Sequence, residues 1–262
     1  MDRISRALEL ARQNRRAVAE APATTPSAEI TYSKTRRIDV PRQVLERNRI
    51  IGPGDKEPYA DAFRLLRTRV LRRMQQNNWK TLGVTSATQG DGKTLTAINL
   101  AVTIAMEPNY TALLVDADMR RPCIHRRFEL EPELGLCDHL TATAQVEEML
   151  INPGIRDLVI LPGRQGHQSS SELLASPKMA ALVEDIRSHY ASRIVIFDLP
   201  PLLVADDVVA FSRHLDCVLL VVQDGKTQSG DLTRALELLE NVEIIGTVLN
   251  RSTDSGRGYE YY

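Results

Sequence analysis

Residues 81–94, TLGVTSATQGDGKT, decide how the chain folds. The first six, Thr81–Ser86, form an apolar-rich run without polar alternation, the pattern of a strand buried on both faces. The following Ala87-Thr-Gln-Gly-Asp-Gly-Lys-Thr94 matches the Walker A pattern G-x-x-x-x-G-K-[ST] at Gly92, Lys93 and Thr94, with Ala87 in place of the first glycine. A helical pattern starts at Lys93, so the loop stands between a strand and a helix, the context that pattern needs. Glycines let backbone N–H groups converge on phosphate oxygens, and the helix N-terminus adds positive potential. Gln89, Gly90, Asp91, Gly92, Lys93, Thr94 and Leu95 are therefore the expected nucleotide-binding residues. Lys93 is expected to bridge the β- and γ-phosphates and the Thr94 hydroxyl to ligate Mg²⁺.

Outward from this stretch the same grammar repeats. Further strands are expected over Ala112–Asp116, Leu158–Leu161, Arg193–Asp198, Cys217–Val222 and Ile244–Leu249. Helices fit between them at Lys93–Met106, Ser171–Tyr190, Asp206–Ser212 and Ser229–Leu239, and another is predicted before the first strand. In that one, Pro58 to Gln75, Phe63, Leu66, Val70 and Met74 recur at helical spacing. Repeated β-α units predict an α/β fold: a doubly wound, mostly parallel sheet with helices on both faces and ligands at the carboxyl ends of its strands. Residues 51–250 are expected to form this domain, after a basic N-terminal helix and linker over 1–50 and before a flexible tyrosine-rich tail over 251–262.

Two further strand ends carry carboxylates. Leu113-Leu-Val-Asp-Ala-Asp118 places Asp116 and Asp118 beside the phosphate loop, where carboxylates can hold Mg²⁺ waters or accept a proton from an attacking hydroxyl. Ile194-Val-Ile-Phe-Asp198 reads as a Walker B strand, with Asp198 on the metal's water shell. Alone, either run is common; in this order after the loop they point to phosphate chemistry. The chain's seven tyrosines are unevenly spread, three of them, Tyr259, Tyr261 and Tyr262, falling in its last four residues. Phenol hydroxyls near a γ-phosphate transfer site read as phospho-acceptors.

The 262 residues carry 33 Lys and Arg against 34 Asp and Glu, with 43% hydrophobic residues, which excludes collagen-like and wholly disordered chains. The balance is uneven: eighteen basic against nine acidic residues as far as Lys80, fifteen against 25 beyond it. A basic front on an acidic body suggests an attachment arm for an acidic surface, an acidic partner or a neighbouring subunit, or else solvated helix faces. Nucleic acid is disfavoured, since the basic segment lacks interleaved aromatics. A short amphipathic helix is expected from Met1 to Val18, with Ala19 to Ser33 as linker. The longest apolar run, Cys217 to Val222, is far short of the ~18 residues a membrane span needs, and no secretory pattern follows Met1. Cytoplasmic residence is expected, with reduced, mostly buried thiols at Cys123, Cys137 and Cys217.

The set SATQGDGKT, LLVDADMRRP, VIFDLPP and terminal tyrosines resembles the bacterial tyrosine kinases of polysaccharide export, in particular their free-standing type and the exosortase-associated autokinases. The resemblance covers Tyr59 to Tyr262 and implies ATP and Mg²⁺ as cofactors. It makes Lys93, Asp116, Asp118 and Asp198 catalytic, and Thr94, Asp116 and Asp198 metal-holding. It also implies autophosphorylation of Tyr259, Tyr261 and Tyr262 between subunits. Asp61, Arg64 and Arg67 match the family's E-x-x-R-x-x-R oligomerisation helix, Asp61 replacing Glu, and Asn250 stands where relatives contact adenine. Implied partners are further copies of the chain in a ring, a separate transmembrane polysaccharide co-polymerase that holds the kinase at the inner membrane, and a phosphotyrosine phosphatase. Gln89 replaces a usual proline, and Ser169 to Ser171 replace a proline-containing segment ahead of Glu172-Leu-Leu174. Two rivals share the loop: a partition- or septum-positioning ATPase, whose extra loop lysine is here Thr88, and a nucleotide-dependent scaffold without turnover.

Overall fold

The computed structural model describes residues 35–55, 58–164, 166–188 and 192–252. In chain order the elements are β1 (Arg36–Arg37), α1 (Arg42–Arg47), α2 (Pro58–Gln76), β2 (Thr81–Ser86), α3 (Lys93–Ala105), β3 (Thr111–Asp116), α4 (Ile124–Arg127), α5 (Leu136–Thr141), α6 (Val146–Met149), β4 (Ile151–Asn152), β5 (Leu158–Leu161), α7 (Ser170–Leu174), α8 (Pro177–Ser188), β6 (Arg193–Asp198), α9 (Asp207–Phe211), β7 (Cys217–Gln223), α10 (Ser229–Leu238) and β8 (Ile244–Asn250). A 3₁₀ turn, Ser212–His214, follows α9. The strands form one sheet in the order β1-β4-β5-β3-β6-β2-β7-β8, and every neighbouring pair is parallel except β4 with β5.

In β2, β3, β5, β6 and β7 the side chains alternate between two buried faces, which is why these strand sequences are rich in apolar residues without polar alternation. Leu82, Val84, Ala112, Leu114, Ile160 and Ile196 pack into a core with α2 and α3. On the opposite face Phe197 meets Phe211 of α9 edge-on, with ring centroids 4.8 Å apart. Helix α3 is apolar on all sides because it is enclosed: every residue from Thr96 to Ala105 is buried. In α2 the stripe holds, with Val70 and Met74 buried and Phe63 and Leu66 packed against the core. Register brings the chemistry together, since Asp198 pairs with Asp116 on one side and with Val84 on the other.

Several expectations need correction. Residues 36–50 are part of the folded body rather than linker: β1 extends the sheet, and Leu45 and Ile50 lie in the core. The segment was too short and too arginine-rich to show a period. Only β1, β4 and the helices α4 to α6 were unforeseen besides α1, and each is six residues or fewer. One helix over Ser171–Tyr190 is two, because Pro177 starts a helix well while disfavouring helical geometry at Ser176. Of the thiols, Cys217 is buried, whereas Cys123 and Cys137 are partly exposed. The N-terminal helix, its linker, and Tyr259, Tyr261 and Tyr262 lie outside the described residues. No described helix is long and apolar enough to cross a membrane.

Because Ile50 is fully enclosed, Ile50→Ala is expected to cost about 2–5 kcal/mol of stability, as in other large-to-small core substitutions. Chemical denaturation measures it; a change within about 0.5 kcal/mol would show that residues 36–50 are not integral to the core.

Candidate active site

The loop leaving β2 is held by its own side chains. The buried Asp91 carboxylate accepts bonds from the Thr88 N–H (3.0 Å) and hydroxyl (3.0 and 3.1 Å), closing the loop on itself. Gly90 and Gly92 have φ of 88° and 96°, a left-handed geometry that glycine tolerates without strain. At Gly92 space excludes anything larger, as a Cβ there would stand 2.0 Å from Asn250 Nδ2. Asn250 in turn donates to the Asp91 carbonyl at 2.8 Å and accepts from the Arg251 N–H at 2.9 Å. Its expected place beside adenine is therefore one side of a residue already bound to the phosphate loop.

Lys93, the first residue of α3, turns its ammonium into a nest of acids. Nζ lies 2.9 Å from Asp118 Oδ2, 3.3 Å from Asp198 Oδ1 and 3.3 Å from Thr94 Oγ1. Burial disfavours its charge, but Asp198 and Asp118 outweigh burial and hold the ammonium firmly protonated. Asp118 Oδ1 also accepts from the Arg121 N–H at 3.1 Å. Asp116 is fully buried at the end of β3; its Oδ2 accepts from the N–H groups of Cys123 (2.8 Å) and Ile124 (2.9 Å). Asp116 Oδ1 and Asp198 Oδ2 are buried without a hydrogen-bond partner. Burial first, then the Asp198 charge, pushes the Asp116 carboxyl up to about 8. Asp198 is raised too, by burial against the pull of Lys93. The Cys123 thiol, 3.6 Å from the Thr94 hydroxyl, is pushed up to about 11 by burial and the neighbouring acids, so it is no nucleophile at neutral pH.

Thus Lys93, Thr94, Asp116, Asp118 and Asp198 meet at one point. Asp61, Arg64 and Arg67 are elsewhere, on α2, and are bonded within the chain. Arg64 pairs with Asp61 and donates to the Asp55 carbonyl, while Arg67 pairs with Glu107 at 2.8 Å. Two features escaped the sequence reading. Arg120 clamps the buried Asp207 at the start of α9, both Nε and a terminal nitrogen standing 3.0 Å from its Oδ1. A 560 Å³ cavity beside the second turn of α3 is lined by Arg42, Glu46, Tyr59, Leu95, Asn99 and Asn250. Much of its wall comes from α1, the start of α2 and the turn between them, which no motif marks.

No family model matches the sequence. Among characterised proteins, the chain is 30% identical over 221 residues to the tyrosine-protein kinase YwqD of Bacillus subtilis, spanning 83% of this chain and 92% of that one. The chain belongs to the bacterial tyrosine kinases. It is also 33% identical over 211 residues to the succinoglycan biosynthesis transport protein ExoP of Rhizobium meliloti, of which it spans 26%. Among solved structures it resembles the chimerical protein CapA2B2 (28% identity, TM-score 0.72, 83% of this chain and 93% of that one). It likewise resembles the kinase domain of Escherichia coli ETK (26%, 0.69, 87% and 93%). The cell-division ATPase MinD of Pyrococcus furiosus, 23% identical with a TM-score of 0.56 over 68% of this chain, shares the fold.

The kinase therefore binds a nucleotide. Its residues also fit a divalent ion: two orphaned buried carboxylate oxygens and the Thr94 hydroxyl are hard oxygen donors. Among the described residues no group of three or more acids, histidines or cysteines forms a cage. Mg²⁺ suits such a place, because it keeps several waters and takes only one or two carboxylates beside the substrate phosphates.

The raised Asp116 carboxyl has a consequence for stability. Unfolded, it loses its proton near 3.8, whereas folded it keeps it to about 8, so the native state binds the extra proton between those values and stability falls as pH rises through that window. Asp116→Asn is expected to flatten this decline in the nucleotide-free kinase. Denaturation midpoints of both proteins from pH 5 to 9 measure it; parallel curves would refute the assignment.

Proposed function

We propose that this kinase transfers the γ-phosphoryl group of ATP to its own terminal tyrosines, Tyr259, Tyr261 and Tyr262, and does so between subunits. The reading rests on one observation above all: Lys93, Asp116, Asp118 and Asp198 converge at the mouth of a phosphate loop with two carboxylate oxygens left open. Phosphoryl transfer depends on in-line placement and charge neutralisation more than on covalent help. Bound Mg²⁺ would supply neutralisation of phosphate charge. Asp198 Oδ2 and Thr94 Oγ1 would orient its shell, with Asp116 beside them. Lys93 would exchange its carboxylate partners for phosphate oxygens, and Leu95, Asn99 and Tyr59 would border the nucleoside in the adjoining cavity.

In the reaction a tyrosine hydroxyl oxygen forms the new P–O bond as the bond from the γ-phosphorus to the ADP oxygen breaks. The phenolic proton passes to Asp116, whose Oδ1 is open; both oxygens of Asp118 are already taken, by Lys93 and by the Arg121 N–H. In the empty site this carboxyl keeps its own proton to about 8, so it would serve as the base once a nearby divalent charge favours the carboxylate form. Asp116→Asn is expected to slow tyrosine phosphorylation by roughly 10²–10⁴-fold while leaving ATP binding in place. Equilibrium nucleotide binding and single-turnover transfer separate the two effects, and an unslowed transfer step would move the base elsewhere.

Twelve residues follow Asn250, enough to reach roughly 40 Å at ~3.3–3.6 Å per residue, so a neighbour's site is within range. Each phosphate adds about −1.5 to −2 charges, and several on one tail would repel each other and the acidic body, loosening a ring. When Lys93→Met protein is mixed with an active copy whose terminal tyrosines are Phe, phosphotyrosine is expected on the Lys93→Met chain, mapped by mass. A bare Lys93→Met chain would rule out transfer between subunits. By its likeness to ExoP the kinase would serve polysaccharide assembly, with a separate membrane co-polymerase as activator and a phosphatase to reset it. Its own basic N-terminal stretch would dock there or on lipid headgroups. Removal of residues 1–34, which spares the packed segment from 36 onward, should abolish recruitment to membranes in cells; unchanged recruitment would exclude that role.

A further inference from the structure

A second ammonium stands at the phosphate loop. Strand β7 lies beside β2, and parallel pairing carries both to the same edge of the sheet, so the turn after β7 sits against the loop after β2. That turn, Gln223-Asp-Gly-Lys-Thr227, is tightly built. The Lys226 and Thr227 N–H groups both return to the Gln223 carbonyl (3.3 and 3.1 Å), and the Thr227 hydroxyl accepts from the Gln223 N–H at 2.9 Å. Gly225 takes a φ of 67°, and the Asp224 N–H bonds the Asn250 carbonyl at 2.9 Å, tying the turn to β8. The backbone under Lys226 is thus fixed from three directions, while its side chain is exposed. Nζ donates to the Gln89 carbonyl at 3.1 Å and lies 3.3 Å from where a Gly90 Cβ would be.

We infer that Lys226 is a further phosphate-binding residue of the kinase, a positioning cation that leaves the Gln89 carbonyl for the phosphate chain of the bound nucleotide. The proposal rests on the nucleotide reading of the loop. Three observations carry it. An ammonium has three donors, and a carbonyl occupies one. Among the described residues Lys226 has no ion pair, whereas Lys93 is held by two carboxylates, so the charge of Lys226 is uncommitted. The Gln89 carbonyl is a neutral acceptor, and a phosphate oxygen within the same reach is a stronger one, since charge-assisted bonds are about twice as strong.

The test combines affinity with chemical protection. Lys226→Ala is expected to weaken ATP binding by roughly tenfold, Lys226→Arg to restore most of it, and ATP to shield Lys226 from amine acylation in the unaltered kinase, read by mass spectrometry. Unchanged ATP affinity in Lys226→Ala overturns the proposal whatever the acylation shows, since shielding alone is mere coverage. Lost affinity that Arg does not restore, or that comes without protection, overturns it too, because the turn would then act only as scaffold. An unaltered kinase that binds no ATP overturns the nucleotide reading and this inference together; one that binds ATP as tightly as Lys226→Ala does overturns this inference alone.

Discussion

One lysine faces three buried carboxylates, and the rest of the molecule is arranged around that imbalance. Lys93 neutralises part of Asp118 and Asp198, while Asp116 is left without a cation in contact. In a low-dielectric interior an uncompensated carboxylate is costly, so Asp116 keeps its proton to about 8 and Asp198 is pushed upward as well. The site is consequently least favourable when empty at alkaline pH. A divalent ion reverses that logic, since its charge supplies what one ammonium lacks. Ion and nucleotide would then favour each other, since Lys93 would be freer to meet phosphate when the acids have another cation near them.

The sheet makes such an imbalance tolerable. Parallel pairing of β2, β6 and β3 ends three strands at one level, so a lysine and three acids from distant parts of the sequence meet with no long loop to position them. Buttresses lock the arrangement from outside the reacting groups. Asn250 fills the space over Gly92, Cys123 and Ile124 hold one oxygen of Asp116, and Arg120 ties the loop after β3 to α9. Each is a polar contact in a largely buried setting, where a satisfied network is rigid and an incomplete one is costly.

What the sequence made legible follows from how locally each feature is determined. Five strands buried on both faces, and the half-exposed edge strand β8, betray themselves by apolar runs, and the ends of all six differ by at most a residue from those expected. The acids and the lysine were legible because strand-end chemistry has a fixed address in this topology. The segment from Ile124 to Asn152 was not, since its helices are four to six residues long and hold too few apolar positions to display a period. Residues 36–50 misled for a related reason: arginines dominate the composition, yet Val44, Leu45 and Ile50 are buried, with Ile38 and Val40 packed against the core. Lys226 lies in no motif of the loop it touches. Only the adjacency of β7 and β2, a tertiary fact, brings it there.

Strand order also joins the nucleotide loop to the chain's exit. Asn250 is the last residue of β8, and its side-chain amide spans from the Asp91 carbonyl to the Arg251 N–H. Arg251 has a φ of 57°, uncommon for a residue with a Cβ, and its N–H is held by the same side chain that bonds the loop after β2. The Asp224 N–H, bonded to the Asn250 carbonyl, brings the turn bearing Lys226 into the same junction. Hydrogen bonds at Asn250 therefore join the loop after β2, the turn that bears Lys226 and the start of the tyrosine-bearing end.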